Sequence, residues 1–208
     1  MEDFEPRKKP KQARSRATFE AIVEAGAQLL VQEGYHNLTT NRLAERAGVS
    51  IGSLYQYFPN KEAVIASVVV RFADRQFDIL ATGLEELADA PIEQVVRHLV
   101  RGMLAAKRAE PELSRVLLQE LPQIGQVDVL SDWNERACQL VEFALAARRD
   151  EIDVDDLEMA AFMTVTACHG IVQSTLLDRP ELLEGDQLGD HTARMMLTYL
   201  GVDKQNRP

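Results

Sequence analysis

Apolar side chains recur along this chain at the three-and-four spacing of helix faces. Phe19, Ile22, Val23, Gly26, Leu29 and Leu30 make one such face, and Gly34 ends it where a left-handed cap disfavours a Cβ. Thr40 reads as the N-cap of a short second helix over 41–47, with Leu43, Ala44 and Ala47 inward. Gly48 breaks that helix, Val49 reads as a buried plug, and Ser50 caps a third helix over about 51–57. Pro59 and Asn60 stop it, and a longer helix starts at Lys61. Further helices are predicted over about 62–81, 91–108, 111–121 and 127–149, punctuated by Pro91, Pro111 and Pro122. Two more follow, over about 154–178 and 186–200, while residues 1–13, charged and holding Pro6 and Pro10, read as a disordered arm.

Composition sharpens the fold class. The chain is 46% hydrophobic but only 6% aromatic, and its abundance of Ala, Leu, Glu and Arg favours an all-α protein of about nine helices. Its two cysteines, Cys138 and Cys168, have no paired spacing, which excludes a disulfide framework and a thiolate metal finger and suits a reducing cytoplasm. No metal or cofactor is expected. The opening MEDFEPRKKPKQ has no apolar core of a secretory signal. Residues 159–177 carry no Asp, Glu, Lys or Arg over nineteen positions, close to the ~20 that span a bilayer. Thr164, Thr166, His169, Gln173, Ser174 and Thr175 interrupt that run, and acidic residues flank it, so it reads as a helix buried on most sides within protein, with no membrane partner.

A net charge of -10 argues, as an average, against a nucleic-acid partner. The distribution reverses that inference. Residues 1–61 carry +2 and the rest -12, and six basic residues without an acid lie between Arg7 and Arg16. A basic arm on an acidic body suggests separate tasks for the two parts.

Two helices of seven or eight residues, with Gly48 at the turn and Ala44 where their axes cross, form a helix-turn-helix. Its second helix fits the ~12 Å major groove of B-DNA. The stretch LTTNRLAERAGVSIGSLYQYFPNKEAVI, residues 38–65, closely resembles the DNA-binding region of TetR-family transcriptional regulators. Carrying the likeness are T-x-x-x-L-A-x-x-A-G-V-S, then L-Y-x-Y-F closing the recognition helix, then N-K-E at the next helix start. The resemblance reaches back to about Arg14 and covers roughly residues 14–66. It implies a DNA-binding domain over 14–60 and a ligand-binding and dimerisation domain over 61–208, behind the arm at 1–13.

Within the recognition helix, Leu54 and Phe58 point inward with Val49. That leaves Ser50, Ile51, Gly52, Ser53, Tyr55, Gln56 and Tyr57 as candidate DNA contacts. Gln56 can pair with adenine, Ser53 with base edges or phosphate, and Ile51 with a thymine methyl. Gly52 allows close backbone approach, and Tyr55 and Tyr57 can donate to phosphates or instead pack on neighbours. Thr40 opens a helix whose amides favour a phosphate, with Asn41 and Arg42 next in line. Lys61 corresponds to a lysine that touches phosphate in the family. Arg14 and Arg16 can reach the backbone or minor groove.

A single unit makes few contacts; a homodimer doubles them on a palindromic operator. Ala160, Ala167, Gly170 and Ser174 are small residues that permit close helix approach, and Leu188, Met195 and Tyr199 form a stripe on the last helix. TetR-family proteins dimerise through their last two long helices, which matches. The resemblance also implies an effector pocket for a small hydrophobic molecule. Its candidate lining is Phe72, Gln76, Leu99, Met103, Leu117, Trp133, Leu140, Met163, Thr166 and His169, side chains that also suit a plain core.

Nothing points to an enzyme. His36, His98, His169 and His191 are scattered, and HExxH and phosphate-cradling loops do not occur. Cys168 and His169 lie about 100° apart on a helix, poor geometry for a nucleophile and its base. The expected function is a cytoplasmic, ligand-responsive transcriptional regulator acting as a repressor. The alternatives are a DNA-binding protein without an effector and an all-α enzyme.

Overall fold

A computed structural model describes residues 4–7, 10, 12–124 and 127–202, with 121–131 described by their backbone alone. The described residues form nine α-helices, three short 3-10 turns and no strand. The helices are α1 (Ala13–Glu33), α2 (Thr40–Ala47), α3 (Ile51–Tyr57), α4 (Lys61–Glu86), α5 (Ile92–Ala109), α6 (Pro111–Ile124), α7 (Val127–Ala146), α8 (Leu157–Asp178) and α9 (Gln187–Tyr199). They divide into two compact units: residues 1–73 with 112–129, and residues 74–111 with 130–208. The helix beginning at Lys61 is continuous through both, and most of α6 joins the first unit although it follows α5 in sequence.

Side-chain caps set the helix starts. Thr39, not Thr40, caps α2: its Oγ1 accepts from the Arg42 N–H at 3.3 Å, which puts Thr40 inside the first turn. Ser50 Oγ accepts from the Ser53 N–H at 3.1 Å, and Asn60 Oδ1 from the Ala63 N–H at 2.8 Å. Asp156 accepts from the Met159 N–H at 2.9 Å and so opens α8 three residues later than the expected 154. Such caps satisfy amides that a helix cannot pair internally. At the end of α2, Gly48 takes φ +67 and ψ 30, and the N–H of Val49 returns to the Ala44 carbonyl at 3.0 Å. Val49 is only half buried, a looser plug than its apolar side chain suggests.

In the first unit, Ile22, Leu29, Leu30, Leu43, Leu54, Phe58 and Ile65 are removed from solvent, each contributing roughly 1.5–3 kcal/mol. Gly26 is the contact that sets how closely α1 meets α4, since a Cβ there would lie 2.9 Å from Val64 Cγ1 and 3.2 Å from Val68 Cγ2. Across the same pair of helices, Arg71 reaches Glu24 at 2.9 Å and Glu20 at 3.8 Å.

The second unit packs α5 against α9, and α8 against α9. Its core draws Val95, Val100 and Leu104 from α5, Ala161, Val165, Cys168 and Val172 from α8, and Ala193, Met196 and Leu197 from α9. Arg148 is a buried cation with a structural task. Its guanidinium donates to the carbonyls of Leu87 (2.6 Å), Ala88 (2.8 Å), Ala90 (2.8 Å) and Ala144 (3.0 Å). It therefore ties the turn after α4 to the end of α7.

The expectation that α8 is buried on most sides needs correction. By length and composition it could cross a membrane, yet only one side of it is covered within the chain. Met159, Phe162, Met163 and Leu177 on the other side are exposed.

Candidate nucleic-acid interface

Helix α3, the expected recognition helix, is held from beneath. Leu54 and Phe58 are fully buried, and the Phe58 ring stacks at 4.8 Å on Phe19 of α1. This fixes the opposite side outward: Ser50, Ile51, Gly52, Tyr55 and Gln56 are exposed, and Ser53 is half buried. Ser50 Oγ and Ser53 Oγ lie 2.8 Å apart, and the Tyr55 hydroxyl bonds the Thr40 hydroxyl at 3.1 Å. Both pairs keep polar groups on the surface that a groove would meet.

Tyr57 does not belong with them. It is buried, its ring edge-on to Phe19 at 6.1 Å, because its helix position faces α1 rather than solvent. Lys61 is half buried: its Nζ donates to the Tyr35 carbonyl at 3.2 Å and sits 4.5 Å from the Tyr35 ring centre, which leaves two of its three N–H donors for a phosphate. Arg42 pairs with Glu33 at 2.5 Å while its guanidinium stays half exposed. Asn41, Arg14 and Arg16 are exposed, the two arginines on the first turn of α1.

One contact escaped the sequence. Arg7 donates its backbone N–H to the Tyr57 carbonyl at 2.8 Å and its guanidinium to the Tyr55 carbonyl at 3.2 Å. A cation thus sits on the C-terminal carbonyls of α3, where the helix dipole favours it. Within the arm read as disordered, residues 1–3, 8, 9 and 11 lie outside the described residues. The basic run pointed to the arm, but nothing local says that it bends back 48 residues.

The dimer candidates separate in the second unit. Gly170, Ser174, Met195 and Tyr199 are exposed, and Ala167 and Leu188 are intermediate. Ala160 is wholly buried in its own unit and offers no surface. The apolar surface of α8 comes instead from Met159, Phe162, Met163 and Leu177, which recur with Thr166, Gly170 and Ser174 at intervals of three and four on one side of the helix. Met163 and Thr166, expected to line a pocket, are part of this exposed stripe, because the helix is apolar nearly all round and its turn places them outward.

The other ligand candidates fall in both units. Phe72 and the buried Leu117 belong to the first. Gln76, Leu99, Met103, Trp133, Leu140 and His169 belong to the second, all half buried. Trp133 and His169 meet with ring centres 5.6 Å apart, and His169 Nε2 lies 3.3 Å from the Gln173 amide nitrogen. Desolvation, then the charge of Lys107, holds the His169 imidazole below its ordinary value. Burial alone lowers Lys107 to about 8 and raises Cys168 to about 12. Lys107 was not a sequence candidate: one lysine in the last turn of a helix looks like a solvated charge.

Comparisons with known proteins agree with this geometry. Residues 22–68 match the family described as "Bacterial regulatory proteins, tetR family", and residues 91–200 match "Tetracyclin repressor-like, C-terminal domain". The regulator YvkB of Bacillus subtilis, described as uncharacterized, is 34% identical over 194 residues, covering 90% of this chain and all of that protein. The Escherichia coli regulator RutR is 32% identical over 111 residues, or 52% of this chain and 51% of RutR. The chain spans about half the length of the first curated relatives it matches. Among solved structures, the SmeT–triclosan complex has a TM-score of 0.72 at 21% identity, covering 88% of this chain and 91% of that one. A TetR-family regulator from Mesorhizobium loti also reaches 0.72 at 21%, covering 90% and 98%. At such identity these two likenesses concern the fold.

Proposed function

Because the chain belongs to the TetR family of transcriptional regulators, we propose that it acts as a homodimeric repressor on a palindromic operator and is released by a small hydrophobic effector. The observation that carries this reading is the outward row Ser50, Ile51, Gly52, Tyr55 and Gln56, standing on a helix whose inner side chains Leu54 and Phe58 are fully buried. A rigid short rod with polar and small residues outward suits base-edge readout in the major groove.

Dimerisation follows from the need for contacts and from the stripe of α8. Met159, Phe162, Met163 and Leu177, with Met195 and Tyr199 of α9, are large apolar side chains left uncovered within one chain. Grouped apolar surface of this kind favours burial against a second copy. Effector release follows from population shift: a molecule that binds better to a body arrangement unsuited to the operator draws the protein off DNA. The continuous α4 is the natural mechanical link, since both units share it. SmeT, a neighbour in fold, is described in complex with triclosan. Its place of action is the cytoplasm, with the DNA.

Selection of bound fragments from random duplex DNA, followed by footprinting, tests the reading. The expected result is a two-fold-symmetric sequence with half-sites about one helical turn apart, roughly 34–36 Å. Affinity should fall steeply with salt. Sequence-independent coating of the duplex, or footprints without symmetry, would overturn it.

A further inference from the structure

We propose that the effector carries a carboxylate, and that the Lys107 ammonium, the Trp133 indole N–H and the His169 imidazole of the second unit receive it. The proposal rests on the effector reading above and names the chemistry of that ligand.

The three groups come from α5, α7 and α8, all within one unit. The Trp133 and His169 rings lie 5.6 Å apart with their planes at 50°. The Trp133 Nε1–H is sheltered from solvent and has no hydrogen-bond acceptor. Such a donor is rare in folded proteins. Indole nitrogen donates and never accepts, so the missing group is an acceptor.

His169 adds a second donor. It lies 3.3 Å from the Gln173 amide nitrogen, and an amide nitrogen can only donate. With Gln173 donating in this orientation, Nε2 accepts and the imidazole proton stands on Nδ1. The lowered value of His169, caused first by burial and then by the charge of Lys107, keeps the ring neutral at pH 7.

Lys107 supplies the sign. Its charge is felt at His169, and with its own value near 8 it remains mostly protonated at neutral pH. A cationic ligand would be repelled here. A neutral apolar one would leave the indole N–H orphaned. A carboxylate accepts from all three groups, and charge-assisted bonds of this kind are about twice as strong as neutral ones. Asp132, next to Trp133 in the chain, lies 3.8 Å from Arg136.

Trp133 is the only tryptophan of the chain, so its fluorescence reports on this cluster alone. Purified full-length protein at pH 7 is titrated with benzoate and octanoate, and separately with benzamide and octanamide. The expected result is a saturable change of Trp133 emission with the acids at concentrations about tenfold or more below the amides, the size of one lost charge-assisted bond. Lys107→Met should raise the half-saturation for the acids about tenfold, and Lys107→Arg should restore much of the difference. Circular dichroism checks that both variants fold. Should K107M fail to fold, K107R and the acid-to-amide ratio of the unaltered protein decide. Equal response to acids and amides, silence of Trp133 toward all four probes, or unchanged acid binding in folded K107M overturns the proposal. Operator binding, measured alongside, separates the two readings. Operator binding with a silent Trp133 removes only the carboxylate site, whereas acid binding with no operator recognition supports that site and removes the regulator.

Discussion

The Tyr55 hydroxyl bonds the Thr40 hydroxyl at 3.1 Å, joining the outward side of the recognition helix to the first turn of the helix before it. The bond fixes the aromatic ring on the surface proposed to meet DNA. Tyr55→Phe should weaken operator binding about two- to tenfold, the worth of one ordinary hydrogen bond, and should do so equally across operator variants. Gln56→Ala should cost about 1–3 kcal/mol and relax selection at a single base pair. Gel-shift titration on an operator panel distinguishes them. Loss of sequence preference in Y55F, or its retention in Q56A, would contradict these roles.

The basis of dimerisation is open to a direct test. Phe162→Asp and Met163→Asp each place a charge on the uncovered stripe of α8 without touching that unit's buried side. Sedimentation should show single subunits at micromolar concentration, and operator affinity should fall with the lost second half-site. A variant that still sediments as a dimer would move the interface elsewhere.

Arg148 should be the most costly surface-remote cation to remove. Its loss removes its hydrogen bonds to four backbone carbonyls, of which that of Leu87 keeps the Ala90 N–H. Arg148→Ala should destabilise by about 3 kcal/mol or more, and Arg148→Lys should recover only part, because an ammonium cannot span the same fork. Urea unfolding measures both, with a wild-type midpoint in R148A as the contrary result.

Two glycines should respond differently to Ala. At Gly48 a Cβ meets open space but the backbone is left-handed, so the loss should be about 1 kcal/mol. At Gly26 the backbone is an ordinary helix, and Ala would gain helix propensity, yet its Cβ would stand 2.9 Å from a stiff Val64. The overpacking outweighs the gain, for a net loss of about 1–2 kcal/mol. Stabilisation by Gly26→Ala would mean that α1 and α4 part easily.

Lys107 gives stability a pH signature. Its folded value is about 8 against an ordinary 10.5, so between those limits the unfolded chain binds more protons than the folded one. Stability from this group therefore rises with pH across that window, and below it the burial cost is fully present. Lys107→Met should be more stable than the native chain at pH 7, with the gap closing as pH rises from about 8 toward 10.5. Thermal melts of both proteins at matched pH test this. A gap that stays constant would mean that Lys107 keeps its ordinary affinity for protons.

How much was legible in the residues depends on how local each feature is. Helix order, the turn at Gly48, the cap at Ser50 and the inner pair Leu54 and Phe58 depend on neighbours within one or two turns, and they stand where the spacing put them. Even the misassigned cap, Thr40 for Thr39, missed by one position. The amino-acid order by itself determined an all-helical chain with a groove-sized helix near its start, because capping and a 3.6-residue period act over a few residues. Packing decided the rest. Tyr57 turned inward onto Phe19, Lys61 closed onto Tyr35, Arg7 reached Tyr55, and Arg148 reached Leu87 across 61 positions. The apolar helix α8 could have buried either side until its neighbours chose, leaving Ala160 within and Met163 without. Such outcomes depend on which surfaces meet in space, and a one-dimensional period carries no information about that.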